Sequence, residues 1–558
     1  MEYFVSAVTV LLLVAFIFIK NSLDDKKRVE KILNQVKNSF GKAPNKKYED
    51  NELNNIKKLF ERFSNENSID DITANDLDLD SVFKRMNYCK SSMGSEYLYY
   101  RLRTPICDES LLENCEKKIE GLKNNEEERL SFVKFYLQIG RLKSFSFFET
   151  LDYFADIKPR SLLPEVISFV VFIIGIICLF ILPPLAAALL IGVLVYNIIS
   201  YYSLRGSIEE NILIFSYMVR FINIAKQMTK INSKVLEDDL AFVKEATEKL
   251  EKFSKNSGIV TKNGASGVGI GNPLDMFADY GRMIFHVDLI KFNMMLSQVQ
   301  ENLDTIASLY MKLGEIESYV SLAFYRASLD FYCIPKREDN LSMTDGYHPL
   351  IDNPVTNSIS AQRSVLITGS NASGKSTFLK TVALNYLFAN TIHTCLANEF
   401  SAPYMHLFSS MSLRDSIESS DSYFMVEIKA IKRIIDFAKE NPDIKILCFV
   451  DEVLRGTNTV ERIAAGCEIL KNFSNSNVLC FAATHDGELT HLLENCYDNY
   501  HFNEEIVEND VLFNYMIKSG RATSRNAIKL LNVMGFDDAI VANAEKMAEA
   551  FVKTGEWK

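Results

Sequence analysis

The sequence predicts an α/β domain with a mostly parallel sheet over residues 336–558 and an all-α region with strongly apolar helices before it. After about residue 336, short strand-type apolar runs alternate with helical patterns, which favours a parallel sheet. The apolar spacing over 206–330 is instead that of long helices. Three long runs without charged residues complete the pattern, at residues 4–19, 166–182 and 185–199.

The composition limits the classes of protein that this chain can represent. Its formal net charge of −11 argues against a globally basic nucleic-acid-binding surface but leaves room for a local one. The ten cysteines are scattered and include no Cys-x-x-Cys pair. This usage favours a reducing compartment over a disulfide framework or a zinc site.

The first apolar run, residues 4–19, is followed by a group of basic residues, Lys20, Lys26, Lys27 and Arg28. A cleaved signal peptide would carry its charges before the run and an Ala-x-Ala site after it, and neither feature is present. We therefore expect a transmembrane anchor within residues 1–22. The positive-inside rule then places the rest of the chain in the cytoplasm.

The second and third apolar runs, 166–182 and 185–199, are separated by Pro183-Pro184. At 1.5 Å per residue, about 17 helical residues span roughly 26 Å, close to the thickness of a hydrocarbon core. A diproline continues a helix poorly. The two apolar runs therefore predict two helices that form a transmembrane hairpin within 161–204. The alternative is a buried core hairpin of a soluble protein, but neither run shows a polar face.

These features divide the chain into five segments. We expect an anchor at 1–22, a helical core at 23–160 and 205–335, a membrane hairpin at 161–204, and the α/β domain at 336–558.

A phosphate-loop motif, G-x-x-x-x-G-K-[ST], occurs once in the α/β domain, as Gly369-Ser370-Asn371-Ala372-Ser373-Gly374-Lys375-Ser376-Thr377. A strand-type run precedes it and a helical pattern follows it, which is the context that the motif requires. Glycines allow backbone N–H groups to surround phosphates, and the helix N-terminus adds positive potential. Lys375 can then reach the β- and γ-phosphates, and the Ser376 hydroxyl can hold Mg²⁺.

Two further strand-type runs end in residues suited to nucleotide chemistry. Residues 445–450 end in Asp451-Glu452, where Asp451 can join the Mg²⁺ shell and Glu452 can orient or deprotonate an attacking water. Residues 477–483 lead to His485, which can sense the γ-phosphate or position water. The alternatives are a solvated acidic pair at a strand end and a structural histidine.

Several segments together resemble the MutS family, the ABC-type ATPases of DNA mismatch repair. The phosphate loop is similar to the family's G-P-N-M-G-G-K-S-T, and residues 451–459 are similar to D-E-I-G-R-G-T-S-T. Residues 422–427 resemble S-T-F-M-V-E, and residues 483–490 resemble A-T-H-x-x-E-L-T. Residues 346–349 resemble the G-R-H-P entry to the ATPase domain. The resemblance also links residues 93–105 to a segment of the helical core and residues 321–323 to the end of its lever helices.

This resemblance implies a fold and an activity. The fold is a C-terminal α/β ABC-type P-loop ATPase domain plus an all-α core (lever) domain, here with transmembrane helices. The activity is Mg²⁺-dependent ATP hydrolysis in a homodimer, where Ser422 of one subunit caps the γ-phosphate bound to the other. Val355 and Asn357 match adenine-pocket positions, and Glu452, His485 and Ser422 are the expected catalytic residues.

The sequence also departs from the family, and two functions stay open. No segment resembles the N-terminal mismatch-reading domain, and the region between Pro105 and Ser321 is short for full levers plus a DNA clamp. The chain is therefore expected to be either a membrane-tethered DNA-binding ATPase of the mismatch-repair or DNA-damage-sensor type, or an ATP-driven switch for a membrane or protein partner. An ABC transporter is less favoured, because the apolar runs offer no charged pathway. The expected location is the cell membrane, multi-pass, with the ATPase domain in the cytoplasm.

Overall fold

The computed structural model describes residues 30–554 with gaps at 45, 143–144, 160, 162, 257–286, 371–372, 412–422, 456, 508–509, 523–527, 529–530 and 532–534. The chain forms two compact units. The helical unit comprises the described residues of Met1–Phe63, Asn87–Tyr100 and Lys117–Ala327. The α/β unit comprises Ser64–Met86, Arg101–Glu116 and the described residues of Ser328–Lys558.

The helices referred to below are, in chain order, α1 Asp50–Phe63, α2 Asp71–Asp76, α3 Leu79–Met86, α4 Ser92–Arg103, α5 Glu109–Asn124, α6 Glu126–Ile139, α7 Phe147–Asp156, α8 Leu163–Cys178, α9 Pro183–Met228, α10 Glu237–Lys249, α11 Glu251–Asn256, α12 Val287–Glu301, α13 Leu303–Ala327, α14 Lys375–Thr391, α15 Tyr423–Glu440, α16 Thr459–Ser474, α17 Gly487–Leu492 and α18 Asp538–Thr554. The sequence predicted long helices between 206 and 330, and the structure confirms them. The expected continuous helix from 283 to 327 is instead interrupted at Asn302, between α12 and α13.

Local sequence signals set several helix ends. The Asn125 side chain accepts a hydrogen bond from the Glu128 N–H at the start of α6, where acidic residues also favour the positive end of the helix dipole. Gly140 ends α6 with a positive φ of 75°, a conformation that glycine adopts without strain. The Ser146 side chain caps α7 in the same way as Asn125 caps α6.

Helix α13 is the central helix of the helical unit, and its second half is almost completely buried. Two glycines allow α13 to approach α4 closely. A Cβ atom added at Gly314 would lie 2.5 Å from the Met93 carbonyl oxygen, and one at Gly94 would lie 2.1 Å from Glu317 Oε2. These two positions therefore have no room for a side chain.

We expect Gly314→Ala to destabilise the helical unit. Alanine favours helices by about 1 kcal/mol over glycine, but the new methyl group would press on a backbone oxygen that cannot move alone. Overpacking of this kind lowers the free energy of unfolding by about 1–3 kcal/mol. Thermal unfolding followed by circular dichroism measures the loss. Gly192→Ala in α9 is the control, because nothing lies within 4 Å of its added Cβ; equal melting of the two variants would contradict the prediction.

The predicted hairpin is formed by α8 and the first part of α9. Ser168 and Asn197, which looked isolated in the sequence, are hydrogen-bonded to each other between the two helices. Gly175 of α8 packs against Leu190, where a Cβ atom would lie only 2.7 Å from Cδ2. The two helices are thus in close antiparallel contact.

The diproline separates the two helices of the hairpin, as expected, and it forms the start of the second helix. Pro183 and Pro184 occupy the first turn of α9, where a missing N–H is tolerated and the fixed φ suits the helix. Helix α9 then continues for 46 residues to Met228. It joins the predicted membrane run 185–199 to the helix predicted separately at 208–228, and Phe215, Met218 and Ile222 are buried in the core of the helical unit.

The outer surface of the hairpin is apolar and exposed, as shown by Leu163 at 67%, Phe180 at 89% and Leu185 at 71% exposure. Among the described residues, Pro183–Ser203 is the one helical stretch that is long and apolar enough to cross a membrane. Helix α8 is apolar but shorter. The structure therefore supports one of the three expected spans by length and composition, and the predicted anchor at 4–19 lies outside the described residues.

The α/β unit contains two sheets, and its strands are β1 Leu341–Gly346, β2 Asn357–Ala361, β3 Val365–Thr368, β4 Glu399–Ser401, β5 His406–Ser410, β6 Ile446–Asp451, β7 Val478–Thr484, β8 Asp498–Val507 and β9 Asp510–Ser519. The larger sheet has the order β5-β6-β7-β3-β8-β9. Its strands are parallel except for β9, which pairs antiparallel with β8. The predicted mostly parallel sheet is confirmed. Strand β3 is buried along its whole length, as expected for a parallel strand covered on both faces.

An early segment of the chain, predicted within the helical core, covers the β5 edge of this sheet. The Asp76 carboxylate of α2 accepts hydrogen bonds from Ser409 Oγ at 2.6 Å and from the Met411 N–H at 2.8 Å. Arg433 of α15 contacts the Asp70 carboxylate at 2.9 and 3.3 Å. The unpaired edge of β5 is thereby covered, which explains why residues 64–86 belong to the α/β unit.

Candidate functional site

The phosphate loop follows β3 at the carboxyl edge of the parallel sheet, and α14 begins at its lysine. Gly369 and Gly374 have φ angles of 150° and 108°, which favour glycine. A Cβ atom at Gly369 would lie 3.0 Å from the Phe502 carbonyl oxygen. The loop therefore needs both glycines for its shape. Asn371 and Ala372 lie outside the described residues.

Two side chains of the loop are placed to meet phosphate oxygens. The Lys375 ammonium is nearly buried and donates hydrogen bonds to the Gly369 and Ser370 carbonyls at 2.9 and 2.8 Å. The Ser373 hydroxyl, where the related motif has glycine, is buried and makes no hydrogen bond within the described structure. A bound phosphate would give both groups an anionic acceptor.

The magnesium position is marked by the last residue of β6. The Ser376 hydroxyl donates a hydrogen bond to Asp451 Oδ2, while Asp451 Oδ1 is buried without a hydrogen bond in the described structure. Burial raises the pKa of Asp451, although the Ser376 hydrogen bond opposes that effect. A hydroxyl, a carboxylate oxygen without a partner and nearby space for phosphates match the oxygen ligands of Mg²⁺. These residues therefore fit the expected cation.

Glu452 is held in an unusual conformation beside the loop. Its φ is 57°, a left-handed value that is uncommon for a non-glycine residue. The carboxylate contacts His485 Nε2 and lies 2.8 Å from Arg455 Nε. The hydrogen bond with His485 lowers the pKa of Glu452 and keeps the carboxylate ionised, as a group that orients or deprotonates water must be.

His485 links Glu452 to the phosphate loop. Its Nδ1 lies 3.0 Å from the Gly369 carbonyl oxygen while Nε2 faces the Glu452 carboxylate. Both ring nitrogens thus face oxygen atoms, so His485 connects the Glu452 carboxylate with the backbone of the phosphate loop. The next residue, Asp486, forms a two-point ion pair with Arg462 of α16, at 2.9 and 2.7 Å, which fixes the loop that carries the histidine.

A cavity of about 520 Å³ extends from the phosphate loop and is large enough for a nucleotide. Both predicted adenine-pocket residues, Val355 and Asn357, line it. The Asn357 amide, however, is engaged with β9: it donates to the Tyr515 carbonyl at 2.9 Å and accepts from the Ile517 N–H at 2.8 Å. Asn357 therefore holds β9 in place beside the cavity.

Sequence reasoning missed the aromatic residues of this cavity. Tyr515 and Phe502 line it from β9 and β8. Tyr515 is 45% exposed and has a φ of 53°, so its ring is available for stacking against a base. These residues lie far from the phosphate loop in sequence, and only the pairing of β3 with β8 and β9 brings them near it. Arg455 was missed as well, although it stands inside the motif that was recognised.

Ser422 lies outside the described residues. Helix α15 begins at the next residue, Tyr423. The placement of Ser422 across a dimer interface stays a prediction.

His348 lines the cavity and is buried in a neutral form. Burial lowers its pKa to about 4, and the charge of Lys380 acts in the same direction. Its Nδ1 accepts a hydrogen bond from the Leu350 N–H at 3.3 Å, which protonation of that nitrogen would break. An unfolded histidine has a pKa of about 6.5, so between about pH 6.5 and 4 the unfolded state binds a proton that the folded state rejects.

This difference predicts a pH-dependent loss of stability. As the pH falls from about 6.5 to 4, His348 should lower the free energy of unfolding by about 1–3 kcal/mol. We expect His348→Gln to flatten the pH profile over this interval, as measured by urea unfolding at several pH values. His491→Gln, which replaces an exposed histidine, is the control and should show the same pH dependence of the free energy of unfolding as the wild type. If the wild type and His348→Gln lost the same free energy of unfolding over this pH interval, His348 would not be the source of the pH dependence.

Part of this chain is similar to a known protein domain. The family model described as MutS domain V matches residues 365–552, from β3 into α18. The human protein named MutS protein homolog 4 is 28% identical over 285 residues, which cover 48% of this chain and 30% of that protein. The DNA mismatch repair protein MutS of Pseudothermotoga lettingae is 29% identical over 276 residues, or 45% and 33% of the two chains.

A third relative, the DNA mismatch repair protein MutS of Thermus aquaticus, is 28% identical over 249 residues, which cover 44% of this chain and 30% of that protein. The matched region thus spans about a third of the length of these curated relatives.

Proposed function

Because residues 365–552 match the family model described as MutS domain V, we propose that this chain is a member of the MutS family and a membrane-tethered, Mg²⁺-dependent ATP hydrolase that works as a homodimer and binds DNA. One observation carries the hydrolase proposal. Lys375, Ser376 and Glu452 line one cavity. Asp451, whose Oδ1 has no hydrogen bond in the described structure, is bonded to Ser376, and His485 contacts Glu452. A phosphate clamp, a cation ligand and an ionised base are the parts that phosphoryl transfer to water requires.

Each residue then has a defined task. Lys375 and the loop N–H groups bind the β- and γ-phosphates, and Tyr515 stacks on the base. Glu452 orients the attacking water and accepts its proton, and His485 holds the Glu452 carboxylate. A Mg²⁺ ion bound at Ser376 and Asp451 would neutralise the negative charge that develops on the phosphates during hydrolysis. Ser422 of the partner subunit completes the site.

The DNA-binding part of the proposal rests on the relatives, two of which are named DNA mismatch repair proteins. It is tested by salt-dependent binding of detergent-solubilised protein to homoduplex, mismatched and branched DNA. Binding that weakens steeply between about 50 and 200 mM salt is the expected result, because neutralised phosphates release counterions. No binding at about 50 mM salt would overturn the DNA-binding proposal.

A second function is favoured by one observation, the continuity of α9. The same helix contains the exposed apolar stretch Pro183–Ser203 and the buried core residues Phe215 and Met218. A motion of the helical core would therefore be transmitted to a membrane or to a partner within it. Absence of DNA binding together with retained ATP turnover would favour this ATP-driven switch.

The membrane proposal has its own test. Phe180 lies in the turn between α8 and α9 and is 89% exposed. In intact cells, Phe180→Cys should react with a membrane-impermeant maleimide, since the turn is expected outside the cytoplasm. A cysteine placed at Lys471 of α16 should react only after lysis. Equal protection of both positions before lysis would overturn the proposed hairpin topology.

A further inference from the structure

Cys333 and Cys395 lie opposite each other within the α/β unit, and neither lines the nucleotide cavity. They form an isolated antiparallel bridge between the segment before β1 and the segment after α14. The Cys333 N–H donates to the Cys395 carbonyl oxygen at 2.9 Å, and the Cys395 N–H donates to the Cys333 carbonyl oxygen at 2.9 Å. The backbone therefore holds the two cysteines directly opposite each other.

This pairing suits a disulfide bond. Residues that exchange both hydrogen bonds of an antiparallel bridge have Cα atoms about 5.5 Å apart, and disulfides join Cα atoms roughly 4.4–6.8 Å apart. Side chains of directly opposed residues also leave the bridge on the same face. The two thiols are close enough for Cys395 to donate a hydrogen bond to Cys333, and no disulfide joins them in this structure.

The two thiols differ in their access to solvent. Cys333 is partly exposed, whereas Cys395 is buried with its Sγ 3.4 Å from the Asn385 carbonyl oxygen of α14. The hydrogen bond from Cys395 lowers the pKa of Cys333, although partial burial opposes this effect, and the charge of Lys336 also lowers it. Because the thiolate is the reactive form, Cys333 meets a dissolved oxidant first, and Cys395 is placed to react with the product.

A second cysteine pair shows why access matters. Cys448 of β6 and Cys480 of β7 are partners in the register of two adjacent parallel strands. Both are completely buried in the core of the α/β unit, and this burial raises the pKa of Cys448. A dissolved oxidant reaches these thiols only if the sheet opens. Proximity alone therefore does not make a cysteine pair reactive.

We propose that Cys333 and Cys395 form a modification site at which a low-molecular-weight disulfide of the glutathione type oxidises the pair to an intrachain disulfide. The Cys333 thiolate attacks one sulfur of the small disulfide and forms a mixed disulfide. The other half leaves as a thiolate and takes up the proton that Cys333 has lost. In a reducing compartment, disulfides of this kind are transient and respond to the redox state.

A second exchange completes the reaction. Cys395 attacks Cys333 Sγ, the bond from Cys333 to the small thiol breaks, and the leaving thiolate takes up the Cys395 proton. In total, two protein thiols lose two electrons and two protons, and the small disulfide becomes two thiols. The same exchange runs in reverse when reduced thiols are in excess.

The disulfide would lie beside the frame of the nucleotide cavity. The Leu396 N–H donates to Asn385 Oδ1 of α14 at 2.6 Å, and the Leu396 carbonyl oxygen accepts a hydrogen bond from the Tyr347 N–H at 2.9 Å. Tyr347 stands between Gly346 and His348, which both line the cavity. The link would thus add a covalent connection next to these contacts without altering a residue that lines the cavity.

The first test identifies the bond. The reduced full-length protein is incubated with oxidised glutathione under native conditions, the remaining thiols are alkylated, and the peptides are mapped by mass spectrometry. A peptide linked through Cys333 and Cys395 should be the main intrachain product and should disappear with dithiothreitol. Cys395→Ser should stop the reaction at a mixed disulfide on Cys333, and Cys333→Ser should give neither product. Cys496→Ser, which replaces another partly exposed cysteine, is the control and should keep the linked peptide.

Three results of this experiment would overturn the proposal. An unmodified Cys333 would show that its thiol is not reactive. A stable mixed disulfide on Cys333 in the wild type, without the linked peptide, would show that Cys395 does not complete the exchange. A link that forms only in urea, or in equal amount between Cys448 and Cys480, would show that the folded structure does not select this pair.

The second test asks whether the folded protein accepts the link without rearrangement. Oxidation should slow amide hydrogen exchange of Cys333 and Cys395 by about fivefold or more, because a covalent bond restricts opening of the bridge that these N–H groups form. The measurement compares reduced and oxidised full-length protein and needs no ATP turnover, so it is independent of the proposed hydrolase. Unchanged or faster exchange would show that the link does not fit the existing bridge and would overturn the proposal.

Discussion

Glu452→Gln is expected to lower ATP turnover by about 10²–10⁴-fold while ATP binding is kept. The amide has nearly the same shape as the carboxylate but cannot accept a proton from water. It also loses the charge that now attracts His485 and Arg455. Glu452 lines the cavity, but the amide keeps the shape of this part of the wall and the phosphate loop is unchanged, so nucleotide affinity should not fall.

Single-turnover hydrolysis and binding of a fluorescent ATP analogue measure the two effects separately. Glu468→Gln removes an exposed carboxylate from α16 and should behave as wild type. Wild-type turnover in Glu452→Gln would remove this residue from the mechanism. Loss of ATP binding together with turnover would instead indicate that Glu452 supports the fold of the cavity.

Lys375→Ala is expected to weaken ATP binding by about 10- to 100-fold. A hydrogen bond to a charged group contributes about 1.5–3 kcal/mol, and each 1.4 kcal/mol corresponds to a factor of ten. The ammonium now bonds to the Gly369 and Ser370 carbonyls and would exchange them for phosphate oxygens. No other described cationic side chain lines the cavity.

Equilibrium binding of ATP by calorimetry measures this loss. Lys380→Ala is the matched control, because Lys380 lies on the same helix and does not line the cavity. The melting temperature without nucleotide shows whether the variant is folded. ATP affinity of Lys375→Ala within about threefold of wild type would contradict the assigned phosphate site.

The parts of the site that the sequence predicted are those encoded within a few consecutive residues. The loop around Lys375, the Asp451-Glu452 pair and His485 each follow a buried strand, so their place at the carboxyl edge of a parallel sheet follows from local pattern. The structure brings Glu452 and His485 into contact, as a shared crevice requires.

The parts that were missed depend on contacts between distant segments. Tyr515 reaches the cavity only because β8 pairs with β3 and β9 pairs with β8. Asp76 meets Ser409 and Met411 through packing of an early helix on an edge strand, and no local signal marks that partner. The two prolines separate two helices, as predicted, but the sequence did not predict that the second helix begins at Pro183 and continues without interruption to Met228.

The length of α9 has a mechanical consequence. Its 46 residues extend about 69 Å as one continuous helix. The apolar half, Pro183–Ser203, therefore continues directly into the half that contains the buried core residues Phe215 and Met218. In a bilayer, an apolar helix tilts to match the local hydrocarbon thickness. If the apolar half of α9 lies in a bilayer, as we propose, a change in hydrocarbon thickness would change the tilt of the helix and displace Phe215 and Met218 within the core of the helical unit.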